Sequence, residues 1–242
     1  MKKAARMNDN LQYTKADIIN SLAKANGWNS YLEICTSTTG LLYAKIDRQQ
    51  LTTCKRLQYN CLAGHDDGLS VDFTSASVDI LECVKKIKKA KLKFDIILVD
   101  PYHEYAFSYR DLEFAFGLLN PNGVLVVHDC IPPSLAMACA KDNGGEWCGL
   151  TYKAFIDFVI NNSSSLSYYT VNTDYGCGVI KRLAFKEAIL NRFISQKKFK
   201  IPISIMKKWK KLKEDTETFN FFEQHQAVLL NLKSCKEFQA ML

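Results

Sequence analysis

The chain has 242 residues, of which 48% are hydrophobic and 24% charged, as expected for one globular domain with a small appendage. No stretch reaches about 18 uninterrupted apolar residues, so the sequence predicts no transmembrane helix. The formal net charge of +7 is uneven, because residues 181–213 contain twelve Lys and Arg residues and a single acid, Glu187. This basic segment could face an anionic substrate, a nucleic acid or a membrane surface, or simply be a solvated helical face.

The predicted elements alternate between helices and short apolar strands. In chain order they are helix 14–26, strand 31–36, helix 41–50, strands 55–60 and 68–75, helix 76–91, strand 94–100, helix 105–119, strand 124–130, helix 151–161, and strands 166–172 and 176–183. Thr14 and Asp17 have capping-box spacing at the start of the first helix, and Gly27 ends it. The sequence Asn-Pro-Asn-Gly at residues 120–123 predicts a turn.

This alternation, with nearly continuous Val, Ile and Leu strands, predicts an α/β fold whose mostly parallel, seven-stranded sheet is covered by helices on both faces. The last two strands are joined by the short link "TDYG" and should form an antiparallel hairpin at one edge. We expect residues 1–183 to form this domain. Residues 184–242 are predicted to be a basic helical extension packed on it.

The nine cysteines indicate free thiols rather than a disulfide framework. Their number is odd, their spacing is irregular, and neither a C-x-x-C motif nor a completing histidine points to zinc. The basic N-terminal stretch is not followed by an apolar region, so it does not resemble a secretory signal. We therefore expect a cytoplasmic protein with reduced cysteines.

Acids end two of the predicted strands. Asp100 closes "FDIILVD", Asp129 closes "VLVVHD", and Glu33 lies on the first strand. Ligands of open α/β sheets bind beyond the carboxyl ends of the strands, and neighbouring strands are about 4.8 Å apart. We predict that these three acids converge on one rim, where two carboxylates could reach one cation or one substrate hydroxyl. The alternative is that each acid caps a following helix or turn.

Four segments carry a resemblance: "YLEICTSTTG", "FDIILVDPYHEYAFSYRDLEFAFGLLNPNGVLVVHDCIPP", "EWCGLTYKAF" and "TDYGCGVI". They resemble successive blocks of class I S-adenosylmethionine-dependent methyltransferases, most closely the group called methyltransferase domain 24, which is associated with glycan and natural-product biosynthesis. The resemblance covers residues 28–183, and "NFFEQHQAVLLNLKSCKEFQAML" is similar to the group's usual ending. It implies a Rossmann-like methyltransferase fold, S-adenosylmethionine as cofactor, and O-methylation of a small hydroxylated acceptor such as a sugar.

The resemblance also implies which residues bind the cofactor. These are Glu33, Cys35, Thr36, Gly40, Asn60, Ser75 and Asp100. Gly40 allows close backbone approach, and Glu33 can accept a hydrogen bond from an ammonium group or from loop amides. The chain departs from the family pattern at Cys35, where a glycine is usual, at Asn60, where an acid is usual, and at Ala76, where an aspartate is usual.

Catalysis is assigned by the same resemblance to His103, Asp100 and Asp129. His103 matches a general base for the acceptor hydroxyl, a role that suits an imidazole at neutral pH, although it could instead cap the helix that begins near residue 105. Some members hold Mg²⁺ with acids that match Asp100 and Asp129. Here the residue after Asp129 is Cys130, whose side chain offers no oxygen ligand. His128 is expected to orient neighbouring groups rather than bind the metal ion. Trp147 could form a wall of the acceptor pocket or pack in the core.

Other functions remain open from the sequence. The departures from the cofactor motifs favour a non-catalytic binding module of the same fold, and the basic segment favours a nucleic-acid methyltransferase. A nicotinamide dehydrogenase is disfavoured because no G-x-G-x-x-G follows any predicted strand. The oligomeric state is open, a homo-oligomer included.

Overall fold

A computed structural model of the chain describes residues 13–36, 41–60, 71–142, 144, 146–184 and 201–242. Within them the helices are α1 (Lys15–Asn26), α2 (Leu81–Lys89), α3 (Tyr105–Leu118), α4 (Thr151–Asn161), α5 (Ile203–Trp209), α6 (Asp215–Leu229) and α7 (Cys235–Met241). The strands are β1 (Ser30–Cys35), β2 (Thr53–Tyr59), β3 (Phe73–Ser75), β4 (Phe94–Asp100), β5 (Leu119–Val127), β6 (Leu166–Val171), β7 (Cys177–Arg182) and β8 (Leu232–Lys233).

The strands form one sheet in the order β3-β2-β1-β4-β5-β7-β6-β8. The pairings from β3 through β5 are parallel, whereas β7 is antiparallel to both β5 and β6. The predicted α/β sheet and its antiparallel hairpin are therefore confirmed. The predicted number of seven strands is wrong by one, because the two-residue β8 adds to β6 in parallel and displaces the hairpin from the edge.

Alternate residues of the central strands face two separate cores. Leu32, Ile97 and Leu125 point into a core built with α2, α3 and α4, while Tyr31 and Ile96 point into one built with α1 and α7. Strands buried on both faces need apolar side chains at every position, which explains the continuous Val, Ile and Leu runs. The sheet is thus covered on both faces, as the sequence predicted.

Three local predictions need correction. The helix predicted for 41–50 is only a 3-10 turn at Tyr43–Lys45, because the Asp47 carboxylate accepts from the backbone N–H groups of Gln49 and Gln50 and turns the chain. Helix α2 begins at Leu81 rather than 76. The predicted turn at residues 120–123 lies within β5 as an irregularity of the register, where Leu119 pairs with Phe94 but Val124 pairs with Ile96.

The described part of the C-terminal extension, residues 201–242, consists of three helices and strand β8 and shares the main core. Trp209, Phe222 and Leu229 are buried in the same core as residues of α3 and α4. Much of the basic segment, residues 185–200, lies outside the described residues. Among the helices that are described, none has the length and hydropathy to cross a bilayer. Eight cysteines are described, and each is a free thiol.

Candidate functional site

The site lies where the strand order changes direction. From β1 the chain continues outward to β2 and β3 and then returns to β4 on the other side of β1, so that β1 and β4 flank the switch point of the sheet. Asp100 is the last residue of β4 and pairs with Cys35, the last residue of β1. Crevices at such switch points are the usual ligand sites of open α/β sheets.

Asp100 is held by two cationic side chains. Its Oδ2 accepts a hydrogen bond from Lys15 Nζ at 2.7 Å, and its Oδ1 lies 3.4 Å from His128 Nδ1. Although burial alone would raise the pKa of Asp100, Lys15 and His128 hold that pKa well below its ordinary value. Asp100 is therefore a carboxylate at neutral pH.

Asp129 links two histidines. Its Oδ2 accepts from His103 Nε2 at 3.0 Å and lies 2.9 Å from His128 Nδ1. Burial raises the pKa of Asp129, but these two hydrogen bonds lower it well below its ordinary value. Asp129 has a left-handed backbone with φ +59°, which turns the chain just past the end of β5 and brings its carboxylate between the rings.

His128 is the second cationic side chain that contacts Asp100. Burial lowers the pKa of His128, but the nearby carboxylates of Asp100, Asp129 and Asp174 raise it well above its ordinary value. The ring is then an imidazolium that donates from Nδ1 to Asp129. Its 3.3 Å contact with Lys15 Nζ is accordingly an approach of two donors, which the intervening carboxylates make tolerable.

The β6–β7 turn fixes the position of Lys15. Asp174 Oδ2 accepts from the backbone N–H of Lys15 at 2.8 Å, and Asp174 Oδ1 lies 3.4 Å from His128 Nε2. The neighbouring Thr173 hydroxyl donates to the Tyr13 carbonyl at 2.6 Å. Because Lys15 is the first residue of α1, this acid also interacts favourably with the positive end of the helix dipole.

Backbone packing fixes the position of His103. The His103 carbonyl accepts from the Leu150 N–H at 2.8 Å, and a Cβ added to Gly149 would lie 2.2 Å from that carbonyl oxygen. Gly149 also has φ +56°, so only glycine fits this close approach without strain. The imidazole makes edge contact with Trp147, with ring centroids 5.3 Å apart, and Trp147 in turn contacts Tyr102.

A buried hydrogen-bond chain supports the same loop from below. The Tyr59 hydroxyl donates to Asp111 Oδ2 at 2.5 Å and accepts from the Tyr102 N–H at 2.6 Å. Arg110 binds the other oxygen of Asp111 and also the Val78 carbonyl. The end of β2, the loop that carries His103 and helix α3 are thereby joined.

Glu33 does not join the other two acids. It lies two residues before the end of β1, it is 1% exposed, and its carboxylate accepts from Tyr31 and Cys35 and lies 3.5 Å from Arg56 Nε. Burial raises the pKa of Glu33 above its ordinary value, although these partners oppose the shift. The predicted convergence of three acids thus holds for Asp100 and Asp129 and is wrong for Glu33, whose carboxylate is engaged inside the fold.

Of the remaining predicted cofactor residues, those that the structure describes lie along the carboxyl ends of β1, β2 and β3. The Asn60 N–H donates to the carbonyls of Ser75 and Ser77, which places Asn60 and Ser75 side by side. Cys35 is buried, Thr36 is half-buried directly after it, and Gly40 lies outside the described residues.

The candidate metal ligands at this rim do not fit Mg²⁺. Asp100, His103 and Asp129 each offer one atom within 4.8 Å of the others, but one of the three is nitrogen, and Mg²⁺ prefers oxygen ligands throughout. Two cationic side chains already contact these carboxylates. The Cys130 thiol is buried, and burial raises its pKa above its ordinary value, so it is not a thiolate ligand.

The sequence analysis did not predict that Lys15 and Asp174 contribute to this site. Lys15 is 85 residues away from Asp100 along the chain, and no spacing pattern connects them. A signal did exist for Asp174. An antiparallel β7 begins beside the end of β5, so the "TDYG" turn must lie at the same rim as Asp129.

Comparison with solved structures identifies the fold. A candidate caffeoyl-CoA O-methyltransferase from Staphylococcus aureus superposes with a TM-score of 0.52 at 12% identity, covering 71% of this chain and 84% of that chain. A candidate O-methyltransferase from Klebsiella pneumoniae gives a TM-score of 0.51 at 14% identity, covering 75% and 84%. The chain therefore has the Rossmann-like fold of these proteins, as the sequence resemblance implied. No protein-family model and no curated protein matches it.

Proposed function

We propose that this protein is an S-adenosylmethionine-dependent O-methyltransferase that acts on a small hydroxylated acceptor. The observation that carries the proposal is the His103–Asp129 pair beside Asp100 at the switch point of the sheet. A carboxylate that orients a histidine is the arrangement of a general base. The fold shared with two candidate O-methyltransferases supports the same reaction class.

The cofactor is proposed to lie across the carboxyl ends of β1, β2, β3 and β4. Asn60 and Ser75 would contact its nucleoside part, and Thr36 and the segment through Gly40 its amino-acid part. Asn60 fits because its side chain is exposed at the end of β2, where an amide can exchange hydrogen bonds with ribose hydroxyls. When bound, S-adenosylmethionine supplies a methyl group on a positively charged sulfur, which is already a strong electrophile.

His103 would accept the proton of the acceptor hydroxyl. Because Nε2 donates to Asp129, the lone pair of the neutral ring is on Nδ1, and that atom is the proposed base. The oxygen that loses its proton to Nδ1 would be the nucleophile for the methyl group that the bound cofactor supplies, with S-adenosylhomocysteine as the leaving group. Asp129 stabilises the imidazolium that forms, and the proton leaves to water afterwards. Trp147 and Tyr102 flank His103 and would form an apolar wall for the acceptor.

A narrower form of the proposal names a sugar of a glycan or natural product as the acceptor. The aromatic wall beside His103 is compatible with the apolar face of a sugar ring and with a phenol. Methyl transfer from labelled S-adenosylmethionine to a panel of monosaccharides and a panel of catechols separates these classes. Incorporation into catechols alone would contradict the sugar assignment and leave the reaction class intact.

Calorimetry with S-adenosylmethionine and S-adenosylhomocysteine tests the proposal. Saturable binding is expected, and an absence of heat at about 1 mM ligand would overturn it. The His103→Ala variant should keep cofactor binding and lose about 10²–10⁴-fold in turnover. The matched control is His225→Ala, a histidine on α6 that packs on Phe221 and should turn over normally. An unchanged rate in His103→Ala would remove His103 from the mechanism.

One observation favours a second candidate, a non-catalytic binding module of the same fold. The Glu33 carboxylate is occupied by Tyr31, Cys35 and Arg56, so it is withdrawn from the role that the family resemblance implies for it. The same calorimetry decides between the two, because a module that has lost the cofactor gives no heat with either ligand.

A further inference from the structure

The carboxylates at the rim already have a cationic partner supplied by the chain. Lys15 Nζ lies 2.7 Å from Asp100 Oδ2, and the Lys15 side chain is 19% exposed. Asp100, His103 and Asp129 are the group whose ligand atoms could surround a metal ion. An ion that used Asp100 would have to displace the lysine or share its carboxylate at close range, which like charges oppose.

Lys15 is held in this position by several independent contacts. The capping box of Thr14 and Asp17 fixes the first turn of α1, and Asp174 binds the Lys15 backbone N–H. The Lys15 ammonium donates directly to Asp100 Oδ2 at 2.7 Å. This cation is therefore a permanent feature of the folded protein.

Two cationic side chains offset most of the carboxylate charge at this site without a metal ion. Three carboxylates, those of Asp100, Asp129 and Asp174, face the Lys15 ammonium and the His128 imidazolium. Asp100 and Asp129 each already contact a cationic side chain, so neither offers its full negative charge to a divalent ion. His103, the remaining member of the group, donates to Asp129 and adds no negative charge.

We infer that the Lys15 ammonium is the resident cation of this site, that it excludes divalent metal ions from Asp100 and Asp129, and that methyl transfer here is independent of metal. The catalytic part rests on the proposed function, whereas the exclusion of metal does not. Lys15 holds the Asp100 carboxylate in place through the 2.7 Å contact between Nζ and Oδ2. The Lys15 ammonium thus takes the place of the divalent ion that the two acids at the strand ends would otherwise attract.

Binding of Mn²⁺, followed by loss of the free-ion electron paramagnetic resonance signal, tests the exclusion directly. The wild-type protein should show no saturable binding that depends on Asp129. Lys15→Met should bind one Mn²⁺ saturably, because the competing charge is gone. Lys15→Arg, which keeps the charge, should behave as the wild type does.

Two further variants locate the bound ion. Lys15→Met combined with Asp129→Asn should lose the new site. Lys24→Met, which removes an exposed charge in the last turn of the same helix, should not create one. Wild-type binding that Asp129→Asn abolishes, a Lys15→Met protein without binding, or equal binding by Lys24→Met would each overturn the inference. If Lys15→Met does not fold, Lys15→Gln removes the same charge and is held to the same outcomes.

Turnover gives a separate readout. Wild-type methyl transfer should be unchanged after chelation with EDTA, and a rate that falls with EDTA and returns with Mg²⁺ would overturn the metal-independent reaction. Failure of the proposed function would instead appear as an absence of S-adenosylmethionine binding. The Mn²⁺ measurements would still decide whether Lys15 excludes metal.

Discussion

Asp111 is a fully buried carboxyl group that supports the loop carrying His103. Burial raises its pKa from 3.8 to about 6, although the hydrogen bonds from Tyr59 and Arg110 oppose the shift. The ionised form of Asp111 therefore lowers the free energy of unfolding by an amount that depends on pH. Its value to the fold is geometric, because the Tyr59 hydroxyl that it fixes also accepts from the Tyr102 N–H, one residue before His103.

The pKa of Asp111 predicts a pH-dependent stability. Because the pKa in the folded state exceeds the unfolded value, the folded protein binds more protons between about pH 4 and pH 6, so the contribution of Asp111 to the free energy of unfolding falls across that window as pH rises. The difference between wild type and Asp111→Asn should shift by about 2–3 kcal/mol from pH 4 to pH 7. Urea unfolding at several pH values measures it.

A second variant checks the cause of this shift. Tyr59→Phe removes a hydrogen bond that lowers the pKa of Asp111, so the fall in stability that Asp111 causes should continue to higher pH in this variant. Parallel stability profiles for the wild type and Asp111→Asn across pH 4–7 would contradict the prediction.

Residues of the site could be predicted from the sequence only where chain position implies spatial position. Asp100 and Asp129 end neighbouring parallel strands, and the side chains of such ends meet. Glu33 was predicted to join them from its place on β1. The register of β1 with β2 instead sets it beside Arg56, a pairing that no local pattern in the sequence reveals. Lys15 depends on how α1 packs across the sheet, which is equally invisible locally.

Among the elements, α1 and the β6–β7 turn act as a unit that presents Lys15 to Asp100. The turn has left-handed backbone at Asp174, with φ +48°, a conformation that aspartate and asparagine tolerate better than most residues. Its carboxylate then reaches the first N–H of α1 and His128. The helix position therefore depends on a turn 159 residues away along the chain.

Replacing Asp174 should loosen this unit. Asp174→Ala removes the acceptor for the Lys15 N–H, removes a charge at the start of α1 and places alanine at a positive φ, so we expect a loss of about 1–2 kcal/mol. Asp174→Asn keeps the short polar side chain and an acceptor oxygen and should lose less than about 1 kcal/mol. Urea unfolding at pH 7 compares the two, and equal losses would show that the acceptor contributes nothing.

Element boundaries were predictable where caps were visible and not where side chains compete for the backbone. Helix α1 begins and ends at the residues that its capping box and Gly27 predict. The helix predicted for 41–50 fails because Asp47 offers its oxygen to the following amides. Helix α2 begins late for a similar reason, since Asp79 Oδ1 accepts from the Leu81 N–H and turns the chain just before the helix.

At the scale of the whole molecule, the order of the strands converts a sequence of alternating elements into a site. The α/β class and the antiparallel hairpin followed from periodicity and from the short link before β7. The eighth strand could not be predicted, because two residues carry no periodicity and β8 exists only by pairing with β6. The same pairing joins the C-terminal extension to the sheet. The extension is therefore not expected to behave as a separate folding unit.

The extension should unfold together with the sheet. Phe222 of α6 is fully buried, and its ring centroid lies 4.6 Å from that of Tyr152 on α4, while Trp209 donates to Asp157 at 2.7 Å. Phe222→Ala should therefore lower the free energy of unfolding of the whole protein by about 3–5 kcal/mol.

Hydrogen exchange measures the extent of that effect, because faster exchange is expected in β4 and β5 as well as in α6. The control is Val228→Ala on the same helix, where the side chain is 36% exposed and the loss should stay below about 0.5 kcal/mol. Exchange that accelerates in residues 201–242 alone would show that the extension opens independently and that the sheet does not need it.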